Sequence, residues 1–410
     1  MTLRTLVFWP HLIAGALAGL VILVMTTTGT LLMFERQLIA WSDSSYRSVP
    51  PQGASRLPIS TLLASLQAAE PGAEVTAIAI AADPEAPIAF TAGGRTLYAD
   101  AYSGAVLGEG SVTTRRVMRE LRNWHRWLGA TGDGRSLGKA FTGGATVLFA
   151  FIVASGAYLW IPRAWTQARV RMALLFKSGL RGKARDFNWH HVVGIWSCVP
   201  LFVLAVSAWP ISFAWANAAI YRAFGEPVPV GRGEAVAAAR ERTESGRAAA
   251  AGRETARSPR RAAAPRASVA ADGLDPLLAR AERQERDWRT ITLRWPDSPR
   301  APVQFAIDRG DGGQPHLRST LTLTRAGDVA AYETFASQTP GRRVRTLLRF
   351  AHTGEVAGLP GQLIAGTASA GGALLVWTGL ALTFRRFRSW LSRRDRDAAA
   401  ATYPANESAA

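Results

Sequence analysis

Four stretches of this chain carry no Asp, Glu, Lys or Arg: Leu12–Phe34, Ala140–Ile161, Val192–Ile220 and Gln362–Phe384. The shortest is 22 residues long. At about 1.5 Å per residue, a helix of that length crosses a hydrocarbon core of about 30 Å. The expected fold is an α-helical membrane protein with four transmembrane helices. The first stretch is too long for the apolar core of a signal peptide, and no small-x-small site follows it at Phe34-Glu35-Arg36. A retained anchor is expected there.

The net charge of +18 raises nucleic-acid binding as a first reading. Membrane proteins carry excess Arg and Lys beside their helices for another reason, and no nucleic-acid partner is expected. The short segment 163–187 holds seven basic residues against Asp186, and the tail 385–396 holds six. The positive-inside rule puts both segments, and both termini, in the cytoplasm. The opposite side is also basic, with Arg115, Arg116, Arg119, Arg122 and Arg126 before the second span and Arg342, Arg343, Arg345 and Arg349 before the fourth. The rule counts short loops and discounts long exported ones, so the orientation stands. The one cysteine, Cys198, excludes a disulfide within the chain. No Cys-x-x-Cys-His is present, so any haem is held non-covalently.

The expected order is an N-terminal segment with helix one (1–34), an exported loop domain (35–139), helix two (140–161) and a basic cytoplasmic loop (162–190). Helix three (191–220), a second exported loop domain (221–361), helix four (362–384) and a cytoplasmic tail (385–410) follow. Each large loop reads as a helix and then an antiparallel meander. The first has a helical pattern from Pro58, strand-like Val75–Ala81, Pro87–Thr91 and Thr96–Asp100, and a turn at Ser103-Gly104. The second has Pro276–Arg286, Thr290–Trp295, Val303–Asp308, Ser319–Thr324 and a turn at Ala326-Gly327. This is a duplicated helix–α/β domain–helix unit. His11 and His190 are 179 residues apart, as are Thr28 and Ser207, while His125 and His352 are 227 apart. The extra length lies in 226–272, rich in Ala, Arg, Gly and Glu, which is expected to be a disordered insertion. Repeats of this kind place their site at the repeat interface.

The chain has six histidines, and two share one frame: Asn123-Trp124-His125-x-x-x-Gly129 and Asn188-Trp189-His190-x-x-x-Gly194. His11-x-x-x-Gly15 opens the first span, and His352 precedes the last. A histidine in or beside a span is costly without a partner, and the bland reading is an interfacial residue touching headgroups. Position favours pairing: His11 with His190 on one face, His125 with His352 on the other, one from each half. Two neutral imidazoles across a bundle form a six-coordinate haem site. Gly15, Gly129 and Gly194, one turn along, are expected to let the macrocycle approach the backbone; small-residue helix packing is the alternative. Trp9, Trp124, Trp127 and Trp189 either wall the cofactor or belong to the aromatic belt. Arg126 and its basic neighbours either neutralise propionates, attract an anionic substrate or form a solvated face. Zinc needs three or four clustered ligands, which these separated pairs do not offer. The repeated frame selects His190 over His191, and His316 falls outside any pair.

The His-x-x-x-Gly motifs, His352-Thr353-Gly354, Thr28-Gly29, Ser155-Gly156-x-Tyr158-Leu159-Trp160 and Thr378-Gly379 resemble those of the PepSY-associated transmembrane family. Its members include iron-regulated inner-membrane proteins and siderophore-linked ferric reductases. The resemblance covers nearly the whole chain. It implies a bacterial inner-membrane protein with PepSY-like loop domains and two b-type haems on bis-histidine ligands. Electrons would cross the membrane to a periplasmic acceptor, a ferric siderophore or other ferric chelate. The Arg-rich insertion departs from the usual second loop, and His352 lacks the Asn-Trp frame. The donor is not encoded, since no flavin or nicotinamide fingerprint is present. The alternative is a non-enzymatic scaffold whose loop domains bind a periplasmic protein or chelate. A transporter would be expected to carry acidic residues within its spans, and the charge-free stretches have none.

Overall fold

The computed structural model describes residues 2–162, 165–229, 273–296, 298 and 300–402. The expected insertion at 226–272 lies outside the described residues from 230 onward. The first half contains α1 (Leu3–Leu32), α2 (Glu35–Ser42), α3 (Ile59–Ala69), β1 (Val75–Ala81), β2 (Ile88–Ala92), β3 (Arg95–Ala99), β4 (Val106–Glu109), α4 (Val112–Trp127) and α5 (Gly134–Trp160). After α6 (Gln167–Leu174), the second half contains α7 (Gly182–Ser207), α8 (Trp209–Ser212), α9 (Ala214–Ala223), α10 (Leu274–Gln284), β5 (Thr290–Arg294), β6 (Val303–Asp308), β7 (Arg318–Leu323), β8 (Val329–Thr334), α11 (Pro340–His352) and α12 (Gly358–Thr402).

The chain divides into a helical unit (Met1–Asp43, Ser111–Ala214, Thr346–Ala410) and a mixed unit (Ser44–Gly110, Trp215–Arg345). In the helical unit, four segments are long and apolar enough to cross a membrane: Leu3–Leu32, Gly134–Trp160, Gly182–Ser212 and Glu355–Arg396. Helices α1, α5, α7 and α12 pack together as a bundle. Its core is built largely from small and branched residues, Ala18, Ile22, Ala145, Val153, Leu201, Ala365 and Ala368 among them. Small side chains let helices approach closely where lipid supplies no hydrophobic drive between them.

Two boundaries differ from the charge pattern. The uncharged run 192–220 is not one helix: α7 stops at Ser207, α8 follows, and α9 begins at Ala214. Pro210, which lacks an amide proton and crowds the carbonyl four residues back, accounts for the break. His125 and His352 do not start their spanning helices. They sit near the C-termini of two separate amphipathic helices, α4 and α11. Helix α4 ends because Leu128 and Gly129 both adopt positive φ, 54° and 79°. Gly129 is thus a helix-stop glycine and not a second residue on the face of His125. It therefore does not stand one helical turn along from His125, where the His-x-x-x-Gly spacing puts it.

In the mixed unit each half forms a four-stranded antiparallel meander, as the alternating pattern implies. The expected loop domains do not stay apart. β1 pairs antiparallel with β5, with Ile78 opposite Leu293 and Ile80 opposite Ile291. The result is one eight-stranded sheet in the order β4-β3-β2-β1-β5-β6-β7-β8. Inward residues from both halves make one core: Ile78, Phe90, Leu97, Ile291, Leu293, Phe305 and Leu321, covered by Leu62 and Leu66 of α3 and Leu277 and Ala281 of α10. Each fully buried branched or aromatic side chain there contributes about 1.5–3 kcal/mol.

Candidate functional site

All four candidate ligand histidines lie in the helical unit, and each meets the same local device. The His125 Nδ1 is 3.0 Å from the Thr28 hydroxyl and 2.9 Å from the Met25 carbonyl. The His11 Nδ1 is 2.9 Å from the Ser155 hydroxyl and also faces the Ile152 carbonyl. The His190 Nδ1 is 2.9 Å from the Thr378 hydroxyl and also faces the Leu375 carbonyl. The His352 Nδ1 is 2.9 Å from the Leu204 carbonyl and 3.5 Å from the Ser207 hydroxyl. In each case a hydroxyl at one helix position and the carbonyl three residues earlier face one ring nitrogen.

This geometry fixes the protons. The hydroxyls of Thr28, Ser155 and Thr378 already donate to the carbonyls of Val24, Phe151 and Leu374 at 2.7, 2.7 and 2.8 Å. A hydroxyl has one proton, and a carbonyl has none to give. The histidine Nδ1 must therefore be the donor at each site. A neutral ring with its proton on Nδ1 leaves the Nε2 lone pair bare, which is the form that binds a metal. His125 is neutral: burial, followed by the neighbouring His352 and Arg126, holds its pKa down at about 4. Burial also lowers that of His352, against the pull of the Leu204 carbonyl.

Glycines make room for three of these rings. A Cβ on Gly29 would lie 3.2 Å from the His125 Cε1, one on Gly156 3.2 Å from the His11 Cε1, and one on Gly379 3.3 Å from the His190 Cε1. At the fourth site the residue after the hydroxyl is Ala208. There the hydroxyl contact is the longest of the four. The motifs Thr28-Gly29, Ser155-Gly156 and Thr378-Gly379 thus each combine a hydrogen-bond acceptor with a ring-sized gap.

One pair of rings meets across the two halves. The ring centres of His125 and His352 are 6.2 Å apart, with planes inclined at 54°. Two imidazoles on one metal ion, at about 2 Å per bond, have centres about 6 Å apart. His190 lies within electrostatic range of His11. Gly15 borders open space, since a Cβ there would meet nothing within 4 Å, and one on Gly194 would meet only Leu375 at 3.7 Å. His191 turns to the Phe187 ring, 4.4 Å away. His316 is exposed in the loop unit. Among the described residues no three His, Cys, Asp or Glu side chains converge on a point, so the four-ligand zinc geometry is not built. The separation of the His125 and His352 rings, with each Nδ1 anchored, is compatible with a haem held by two imidazoles.

The surrounding residues sort differently from what the repeated frame implies. Asn188 is buried and structural: it accepts from the Lys177 amide at 3.0 Å and donates to the carbonyls of Met172 and Leu175, tying α6 to α7. Trp124 is half exposed and rests against Gly129, where a Cβ would lie 2.9 Å from its ring. Trp9 and Trp189 are also partly exposed and take Arg386 and Arg185 over their faces at 4.9 and 5.4 Å. These are the contacts of an interfacial belt. Arg126 lies 4.7 Å over Trp127, and burial and then repulsion from Arg122 and Arg349 weaken its hold on its proton. Arg122 is paired with Glu35. A basic cluster therefore stands beside the His125–His352 pair. The sequence marks the hydroxyl partners only as repeated motifs; the regular spacing of Thr28 and Ser207 is the signal that links them to the histidines.

No curated protein matches the chain. The family model described as the PepSY-associated TM region matches residues 8–386. Four apolar helices, a duplicated helix–domain–helix order and this match over nearly the whole length make the chain a member of the PepSY-associated transmembrane family.

Proposed function

We propose that this protein holds two b-type haems, one between His125 and His352 and one between His11 and His190, and carries electrons across the bacterial inner membrane. The observation that supports this most directly is the shared tautomer at four repeat-related histidines, each with Nδ1 engaged and with no Nε2 partner among the described residues. A haem with two imidazole ligands exchanges one electron without changing its ligands, which suits outer-sphere transfer. The protein's own part is to hold four imidazoles neutral and oriented, to keep water from the bundle core, and to place positive charge from Arg126 and Arg349 beside one pair. The basic segment 163–187 and the tail favour cytoplasmic termini and an exported loop unit. The acceptor is then a periplasmic ferric siderophore or other ferric chelate, and the donor a separate cytoplasmic or membrane reductant.

A second reading, a non-enzymatic scaffold, draws on the loop unit. Its single sheet ends in the largely exposed strand β8, a surface able to take a partner strand. Absorption spectra of protein made with ample haem supply separate the two. The haem reading expects a Soret band whose reduced form is reoxidised by a ferric chelate. A colourless protein supports the scaffold, and a Soret band without reoxidation removes the ferric acceptor alone.

A further inference from the structure

The mixed unit carries an open cavity of about 690 Å³ beside the second meander. Helix α10 contributes Arg280 and Arg283 to its wall, one helical turn apart, and the β7–β8 turn contributes Arg325 and Asp328. The charge balance is positive. Asp328 is engaged with Thr324 through both its amide and its carboxylate, and Glu282 sits within electrostatic range of Arg283.

Arg325 is the informative residue. Its Nε donates to the Ala301 carbonyl at 3.2 Å, while its Nη2 is buried and has no acceptor among the described residues. Leaving a buried charged donor without a partner is costly. A guanidinium nitrogen of this kind is able to donate to an oxyanion partner.

The first half of the repeat shows what the same position looks like when it is closed. Gly104 is the counterpart of Gly327 in the turn after the third strand. A Cβ on Gly104 would lie 2.9 Å from the Ser65 hydroxyl of α3 and 3.4 Å from Leu57. One on Gly327 would meet only Leu277, at 3.8 Å. The first turn also satisfies its own polar groups, with Asp100 accepting from the amides of Tyr102 and Ser103 at 2.8 Å. The second half has opened this space and lined it with arginines.

We propose that this cavity binds a small multivalent oxyanion, a polycarboxylate or a phosphate, through Arg325, Arg280 and Arg283. The planar guanidinium fork matches paired oxygens of either group. The volume falls within the roughly 300–1,000 Å³ of small-ligand sites. The site belongs wholly to the mixed unit and is independent of the haem reading.

Isothermal titration of full-length protein in zwitterionic nanodiscs, with citrate and with inorganic phosphate, tests it. Wild type is expected to bind at least one of them saturably, and Arg280→Gln and Arg325→Gln each to weaken binding at least tenfold. Arg280 is exposed, and its side chain makes no hydrogen bond or ion pair among the described residues, so R280Q reads the site even if R325Q loosens the turn. Arg286→Gln, outside the cavity, should bind like wild type. Discs containing an anionic phospholipid identify the source: a lipid phosphate in the site suppresses the soluble-anion signal, and a freely diffusing ligand leaves it intact. Absence of saturable binding in zwitterionic discs, or wild-type affinity in R280Q and R325Q, overturns the proposal.

Discussion

Three residues are needed to make one useful imidazole here: the histidine, a hydroxyl that has already spent its proton, and a glycine that lets the ring approach. Their unequal completion at the four positions predicts unequal sensitivity. Thr28→Val removes a 3.0 Å contact to His125 while the Met25 carbonyl at 2.9 Å still holds the ring, so haem affinity should fall by less than the roughly 10- to 100-fold that complete loss of an outer partner costs at other metal sites. Ser207→Ala removes only a 3.5 Å contact, while Leu204 still holds the His352 ring, so affinity should barely change. Haem titration of the stripped variants compares them directly. His125→Ala should bring haem per chain to about half of wild type by removing one of two sites. His191→Ala should leave it unaltered, since that ring is turned to Phe187. Unchanged haem in H125A would refute the ligand assignment.

At the scale of elements, the sites depend on two short amphipathic helices held tightly against the spanning ones. Gly138 is where α5 meets the end of α4: a Cβ there would sit 2.2 Å from the Trp127 carbonyl oxygen. Gly138→Val should therefore displace α4 and its His125, costing at least the 1–3 kcal/mol typical of overpacking. A fall in thermal midpoint together with loss of one haem checks this, and a variant with normal stability would contradict it. Much of this level is legible in the sequence. Absence of charge marks the four spans, and period-two alternation marks three strands of each meander with the turns at Gly104 and Gly327. The end of α4 is not legible, because Leu128 in the left-handed region is an exception for a branched residue. Strands β4 and β8 are missed because one is short and the other largely exposed, so neither shows a clean inward face.

The whole molecule is a duplication whose halves have fused at one strand pair and diverged elsewhere. The β1–β5 joint is invisible to local pattern, since it joins segments more than 200 residues apart, and the one-faced burial of each strand does not say which edge partner it takes. Within the sheet, Asp100 anchors the first half. Burial alone pushes its carboxyl up, but hydrogen bonds from Ser103, Val49 and Tyr102 outweigh that and hold it below the ordinary value of 3.8. A lowered folded value means that this stabilisation is present above pH 3.8 and is lost as the pH falls through the folded value. Asp100→Asn should flatten the acid limb of the stability curve, and Asp100→Ala should cost about 1–3 kcal/mol at neutral pH. Chemical denaturation across pH 2–7, pH being set by the experimenter in roughly unit steps, reads both.

The pairing of histidines between the halves is the claim on which the functional account rests. The haem-to-protein ratio, taken with the reduced-minus-oxidised spectrum of the purified full-length chain, tests it most directly. Two non-covalent, six-coordinate haems per chain are the predicted result. A chain that stays free of haem under ample supply, with no reduced-minus-oxidised signal, would contradict it.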